Sequence, residues 1–205
     1  MNKKLLITYI ISIIVLIFLA FYSYLNKTGW FKEIIVTIIV ITLFLLTSKK
    51  THITPLIFSL LCLDLILNAF GTFGFYYKSP FPFGYDKLTH FFGFFSFSLF
   101  SYNYLANKKI NLSKIMVLIL VFLISQGLGS LMEISEYYSA TLSNVSNINS
   151  AALAGPTFGT SDYDINIIGP DPWINTMQDL IFNGLGSLTA IFLIFSYKKF
   201  KNLRK

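Results

Sequence analysis

Ionisable side chains are scarce in the apolar parts of this chain, and those present recur at helical spacing. Away from the loops and the Lys-rich segment ends they are Asp64, Asp86, His90, Glu133, Glu136 and Asp179, accompanied by the amides Asn68, Gln126 and Asn183. Asp86 and His90 lie four residues apart, so a helix presents both on one side. Asn175, Asp179 and Asn183 form a longer stripe of the same kind, and Asp64 pairs with Asn68. Gln126, Ser130, Glu133 and Tyr137 share another face, with Glu136 beside it. Carboxylates gathered around an imidazole suit two kinds of chemistry. They hold a divalent cation such as zinc or manganese, for which His90, Glu133 and Asp179 are the candidate ligands. They also work as general acid and base, with Asp86, His90, Glu133, Glu136 and Asp179 as candidate catalytic residues. Asn183 and Gln126 are candidate contacts to a bound cofactor, whose identity the residues do not specify. In a low dielectric such a set cannot be fully ionised. Either some carboxyls carry protons, or a metal or another cationic group neutralises them.

The elements that must position these residues are set by composition. Of the 205 residues, 55% are hydrophobic and 12% charged, against about 25% charged in soluble domains. A soluble core cannot hide that much apolar surface, whereas a bilayer tolerates it on the outside of the fold. Six apolar segments can be drawn, at about 5–25, 30–47, 53–76, 87–106, 114–139 and 174–197. Each approaches or exceeds the roughly 20 residues that cross the hydrocarbon layer. Runs of this length lack the alternation of a barrel, and helices are the other structure that satisfies its backbone in lipid. The expectation is an all-α bundle of six transmembrane helices in a single membrane domain, residues 1–205. The run after Lys3 and Lys4 is too long for a cleaved leader and has no small-residue cleavage site.

Charge gives the orientation. With the N-terminus inside, twelve of the 16 Lys and Arg fall on cytoplasmic segments, and four (Lys27, Lys32, Lys78 and Lys87) fall outside. The positive-inside rule and the even helix number therefore put both termini in the cytoplasm. The net charge of +7 is spread in short groups between apolar runs. It does not form the single basic face that nucleic-acid binding needs. Cys62 is the one cysteine, which excludes an internal disulfide. In this orientation the fourth segment runs inward from its polar start, while the fifth runs outward and places Glu133 about 7 Å below the surface. Asp179 lies at a similar depth. His90, Asp86, Glu133, Glu136 and Asp179 then share one layer near the outer surface, with Asp64 as its floor. The fifth link, 140–173, is long, has no Lys or Arg, and is expected to be either a functional lid or disordered. The string Gly-Leu-Gly-Ser-Leu occurs at 127–131 and again at 184–188, and its small residues are expected to bring the fifth and sixth helices together. The Phe-rich run 91–100 is expected to face lipid and packing neighbours.

These residues also carry a likeness. Tyr85-Asp86-Lys87-Leu88-Thr89-His90-Phe91-Phe92, then Glu133 and Glu136, then Asp179, Asn183 and Gly186 resemble the VanZ-like membrane proteins and the related YjdF-type family over about 84–190. The long fifth link makes the YjdF type the closer match. The resemblance implies a polytopic protein of a bacterial or archaeal plasma membrane, with poorly defined biochemistry. One member of the wider group is associated with reduced sensitivity to a glycopeptide antibiotic, which points to the cell envelope.

Four functions fit the residues. The protein is an enzyme acting on an envelope lipid or lipid-linked substrate, a non-enzymatic binding, protective or accessory protein, or a proton-coupled transporter. In the fourth case the polar residues only fasten helices together. The lipid bilayer is the expected partner and nucleic acid is not; no oligomeric state can be read from the sequence.

Overall fold

The computed structural model describes residues 2–76, 79, 81–108, 111–146 and 172–203, with side chains left out at 136–146, 172–174 and 197–203. Among these the fold is all-helical, with no strand. The helices are α1 (Lys3–Asn26), α2 (Phe31–Thr51), α3 (Pro55–Ala69), α4 (Tyr85–Asn107), α5 (Lys114–Ser146) and α6 (Pro172–Leu203), and α3 is extended by a 3₁₀ turn at Phe70–Phe73.

Local chemistry fixes the ends. The Asn2 side chain accepts from the Lys4 amide at 2.9 Å and starts α1. Thr54 caps α3 ahead of Pro55, which fits a first turn that has no use for its missing N–H. Lys27 and His52 close α1 and α2 in the left-handed conformation. Gly84, at φ 91°, turns the chain into α4 with a backbone geometry that a side chain would strain.

The helices pack as two groups of three. α1, α2 and α3 touch each other, as do α4, α5 and α6, and the contact of α3 with α4 joins the groups. The first group has an apolar core around Leu16, Leu19, Ile34, Ile41 and Phe58. The second buries polar side chains instead, including Ser96, Ser98, Ser125, Glu133, Asp179, Asn183 and Ser187.

Five stretches are long and apolar enough to cross a membrane: α1, α2, Pro55–Phe73, Lys114–Ser135 and Asn175–Ser196. α4 has the length, at 23 residues, but is too polar to qualify on composition. Its position explains the difference. It packs on α3, α5 and α6, and none of its large apolar side chains is among those left exposed. A helix screened from lipid by three others has no need of an apolar surface all round. Within the Phe91–Phe100 run Phe94, Ser96 and Ser98 are buried while Phe91, Phe92, Phe95, Phe97 and Phe100 stay partly exposed, as a run that serves both packing neighbours and lipid would. Other boundaries shift as well. The third helix breaks at Phe70 and ends at Gly74, short of residue 76. α2 continues to Thr51, so α3 and not α2 is the shortest helix, and α5 runs to Ser146, into the expected link 140–173.

Candidate functional site

The stripes on α4 and α6 face each other. Gly186 allows it, since a Cβ there would run into the backbone of Phe91 and Phe95. The two helices therefore touch nearly backbone to backbone, and their polar side chains interleave one to two turns from the start of α4. Asp86 and His90 come from α4, Asn175, Asp179 and Asn183 from α6, and Glu133 from α5.

His90 is the hub. Its Nε2 lies 3.3 Å from Asp86 Oδ1 and 3.9 Å from Asp179 Oδ1. Its Nδ1 lies 2.9 Å from Asn183 Oδ1 and 3.4 Å from Glu133 Oε1. Each ring nitrogen thus faces carboxylate or amide oxygens, the arrangement in which an imidazole can accept a proton on one side and release it on the other.

Lys87 is the residue that sequence reasoning missed. By position it groups with the outer-segment lysines, yet it is buried at the centre of the cluster. Its Nζ lies 3.0 Å from Asp86 Oδ2 and 2.8 Å from Asp179 Oδ1, and it donates to Asn175 Oδ1. Asn175 in turn donates to Asp179 Oδ2 at 2.8 Å. The cation that the carboxylates require is therefore supplied in part by the chain itself. The available signal was weak, because Lys87 is one residue from Asp86 and about 100° round the helix from it at ~3.6 residues per turn. Only its long, flexible stem brings the ammonium back to the stripe.

Side-chain exposure is 14% for Asp86, 7% for Lys87, 5% for His90, 2% for Glu133 and 0% for Asp179, so the cluster opens at Asp86 and closes towards α5 and α6. Asp86, His90 and Asp179 each offer a ligand atom, all within 4.8 Å of one another. These residues suit a divalent cation, but Lys87 sits against both of the carboxylates that would bind it. Glu133, named above as a ligand, is at the opposite ring nitrogen, where it would orient His90 and not touch an ion held at Nε2.

The remaining candidates lie elsewhere. Gln126 donates to Ser187 at 3.4 Å, which ties α5 to α6. The two Gly-Leu-Gly-Ser-Leu strings do meet there, since a Cβ on Gly129 would press on Asn183 Nδ2 and one on Gly184 would meet Gln126 Oε1. Asn68 accepts from Tyr76 at 2.6 Å. Asp64 is partly buried against α4, where a Cβ on Gly93 would lie 3.3 Å from its Oδ1. The Glu136 side chain and the link at 147–171 lie outside the described residues.

The family model described as "Predicted membrane protein (DUF2238)" matches residues 4–200. The chain belongs to this family. The match reaches all six helices, including α1–α3, which lie outside the 84–190 stretch that carries the likeness. The chain is also similar to "Inner membrane protein YjdF" of Escherichia coli strain K12, with 27% identity over 180 residues, 82% of this chain and 78% of that protein. The match falls on the YjdF side of the expected resemblance. No solved structure matches. This DUF2238 protein is therefore a multi-pass helical membrane protein of YjdF type.

Proposed function

We propose that this protein acts on a lipid or lipid-linked molecule of the cell envelope, with Asp86, Lys87, His90, Glu133 and Asp179 as an acid–base centre. One observation carries the reading. Five charge-bearing side chains from three helices meet inside a bundle whose outer surface is apolar. Burying such groups in a membrane is expensive, and they normally mark function. Fastening helices needs much less, as the same bundle demonstrates with Ser98 on Ser125 at 2.8 Å and Gln126 on Ser187.

Asp86, the most exposed member, is where a substrate group would arrive. His90 would carry a proton between Asp86 and Glu133, while Lys87 and Asn175 hold Asp179 in place. The lysine distribution puts this end of α4–α6 outside and both termini in the cytoplasm. With Lys87 removed from the loops, the outer count falls from four to three, Lys27, Lys32 and Lys78. The membrane proposed is the bacterial plasma membrane, in keeping with the name of the E. coli relative.

The test is a lipid profile. In a strain lacking the gene, a lipid or lipid-linked precursor should accumulate, and wild type should clear it while Glu133→Gln and His90→Gln do not. An unchanged profile would overturn the enzymatic reading. A second reading, a non-enzymatic binding or accessory protein, is favoured by how completely Lys87 answers its two carboxylates. It predicts that Glu133→Gln and His90→Gln restore the wild-type phenotype. A metal-dependent form requires Lys87 to leave those carboxylates, and elemental analysis of purified wild type against His90→Ala reads it directly.

A further inference from the structure

The acidic groups of the α4–α6 cluster each have a basic group within 4 Å: Lys87 and His90 for Asp86 and Asp179, and His90 for Glu133. Asp64 differs from them. It forms no hydrogen bond and no ion pair among the described residues. It also lies at the worst depth for a lone charge, nine residues from either end of the 19-residue span Pro55–Phe73. A charged Asp at the centre of a membrane helix is costly unless something neutralises it. Its partly buried carboxyl lies against α4 at Gly93, where a Cβ would stand 3.3 and 3.4 Å from the two oxygens. A glycine at this position leaves beside the carboxylate a space that any side chain would fill.

We infer that Asp64 is a separate cation-binding point at the middle of the membrane, taking a proton or a monovalent metal cation such as Na⁺. The surroundings supply no substitute. From α4 the nearby titratable groups are His90, one turn from Gly93 towards the cluster, and Tyr85, and both spend their polar atoms elsewhere, His90 on Asp86, Asp179, Glu133 and Asn183 and Tyr85 on the Leu67 carbonyl. α1 and α2 pack on the rest of α3. Apart from tyrosines, they bring titratable groups only in their end turns: Lys3, Lys4, Lys32, Glu33, Lys49 and Lys50. A carboxylate with no ion pair of its own, near only a histidine that Asp86, Asp179 and Glu133 already share, is neutralised by a cation that comes and goes. The inference does not depend on the acid–base role of the α4–α6 cluster.

Dicyclohexylcarbodiimide, an apolar reagent that enters membranes, tests it on the full-length wild-type protein. A protonated carboxyl adds its proton and its oxygen across one C=N bond of the reagent, and the O-acylisourea rearranges to a stable N-acylurea with no leaving group. Peptide mass spectrometry then locates the adduct. The Asp64 peptide should label several-fold faster than those of Asp86 and Asp179, whose oxygens are held by Lys87 and His90. Labelling that falls with rising pH and is indifferent to Na⁺ assigns the proton. Labelling that Na⁺ suppresses and K⁺ does not assigns the metal cation. Gly93→Ala should slow the reaction several-fold by narrowing the space, with Gly127→Ala, where a Cβ meets nothing, leaving it unchanged. An Asp64 peptide that stays unlabelled at every pH overturns the inference, and so does a Gly93→Ala protein that labels like wild type.

Discussion

Replacing Lys87 by Met keeps an unbranched side chain as far as Cε and removes only the ammonium, so it isolates the contribution of the buried charge. The structure shows what would be left behind. Asp179, with no exposure, would lose a cation at 2.8 Å, and Asp86 would lose one at 3.0 Å. The Asn175 carbonyl would also lose its donor. Removing one partner of a buried ion pair costs about 3–5 kcal/mol, because the other charge is stranded. Taking the lower end, since His90 still faces both carboxylates, the expected loss is ~3 kcal/mol. At 2–4 °C per kcal/mol for a chain of this size, that is a fall in Tm of roughly 6–12 °C. Thermal unfolding of the purified protein in detergent measures it. The double variant Lys87→Met with Asp179→Asn removes the stranded charge too and should regain more than half of the loss, as expected for groups in direct contact. A loss near the ~0.6 kcal/mol of an average interhelical hydrogen bond would refute the reasoning. A double variant no better than the single one would do the same, since Lys87 would then not be the counter-charge of Asp179.

Two further perturbations probe the frame around the cluster. Gly186→Ala drives a methyl group into the Phe91–Phe95 backbone and should cost about 1–3 kcal/mol or more, as overpacking does. Gly127→Ala meets nothing and should be neutral or stabilising by up to ~1 kcal/mol; equal effects of the two in thermal unfolding would contradict the close approach of α4 and α6. For orientation, a fluorescent protein fused to either terminus should fold and fluoresce, and a cysteine placed in the 147–171 segment should react with an impermeant thiol reagent in intact cells. The opposite pattern would invert the proposed topology.

The sequence by itself determined that this is a bundle of apolar helices, because the length and composition of the runs leave few other ways to satisfy a backbone in lipid. It also determined the polar stripes, since spacing along one helix is a local property. Asp86 with His90, and Asn175 with Asp179 and Asn183, share a face in any α-helix. Even the meeting of α5 and α6 was legible in their small residues. What the sequence could not supply was how each helix is rotated about its axis against its neighbours. That rotation makes α4 the central helix, so Phe94, Ser96, Ser98 and Ser101 turn inward and the serines are tolerated. It also places Glu133 on Nδ1 of His90 while Asp86 and Asp179 approach Nε2, an assignment that spacing leaves open. Lys87 shows the limit most clearly. By position it belonged with the interfacial lysines, and only the packing of α4 against α6 turns it into the counter-ion of the site. For Asp64 the tertiary structure decided the reverse, placing this central carboxylate beside a glycine and without an ion pair among the described residues. A carboxylate's type and depth are written in the chain, but whether it finds a partner depends on contacts between helices, which no single helix encodes.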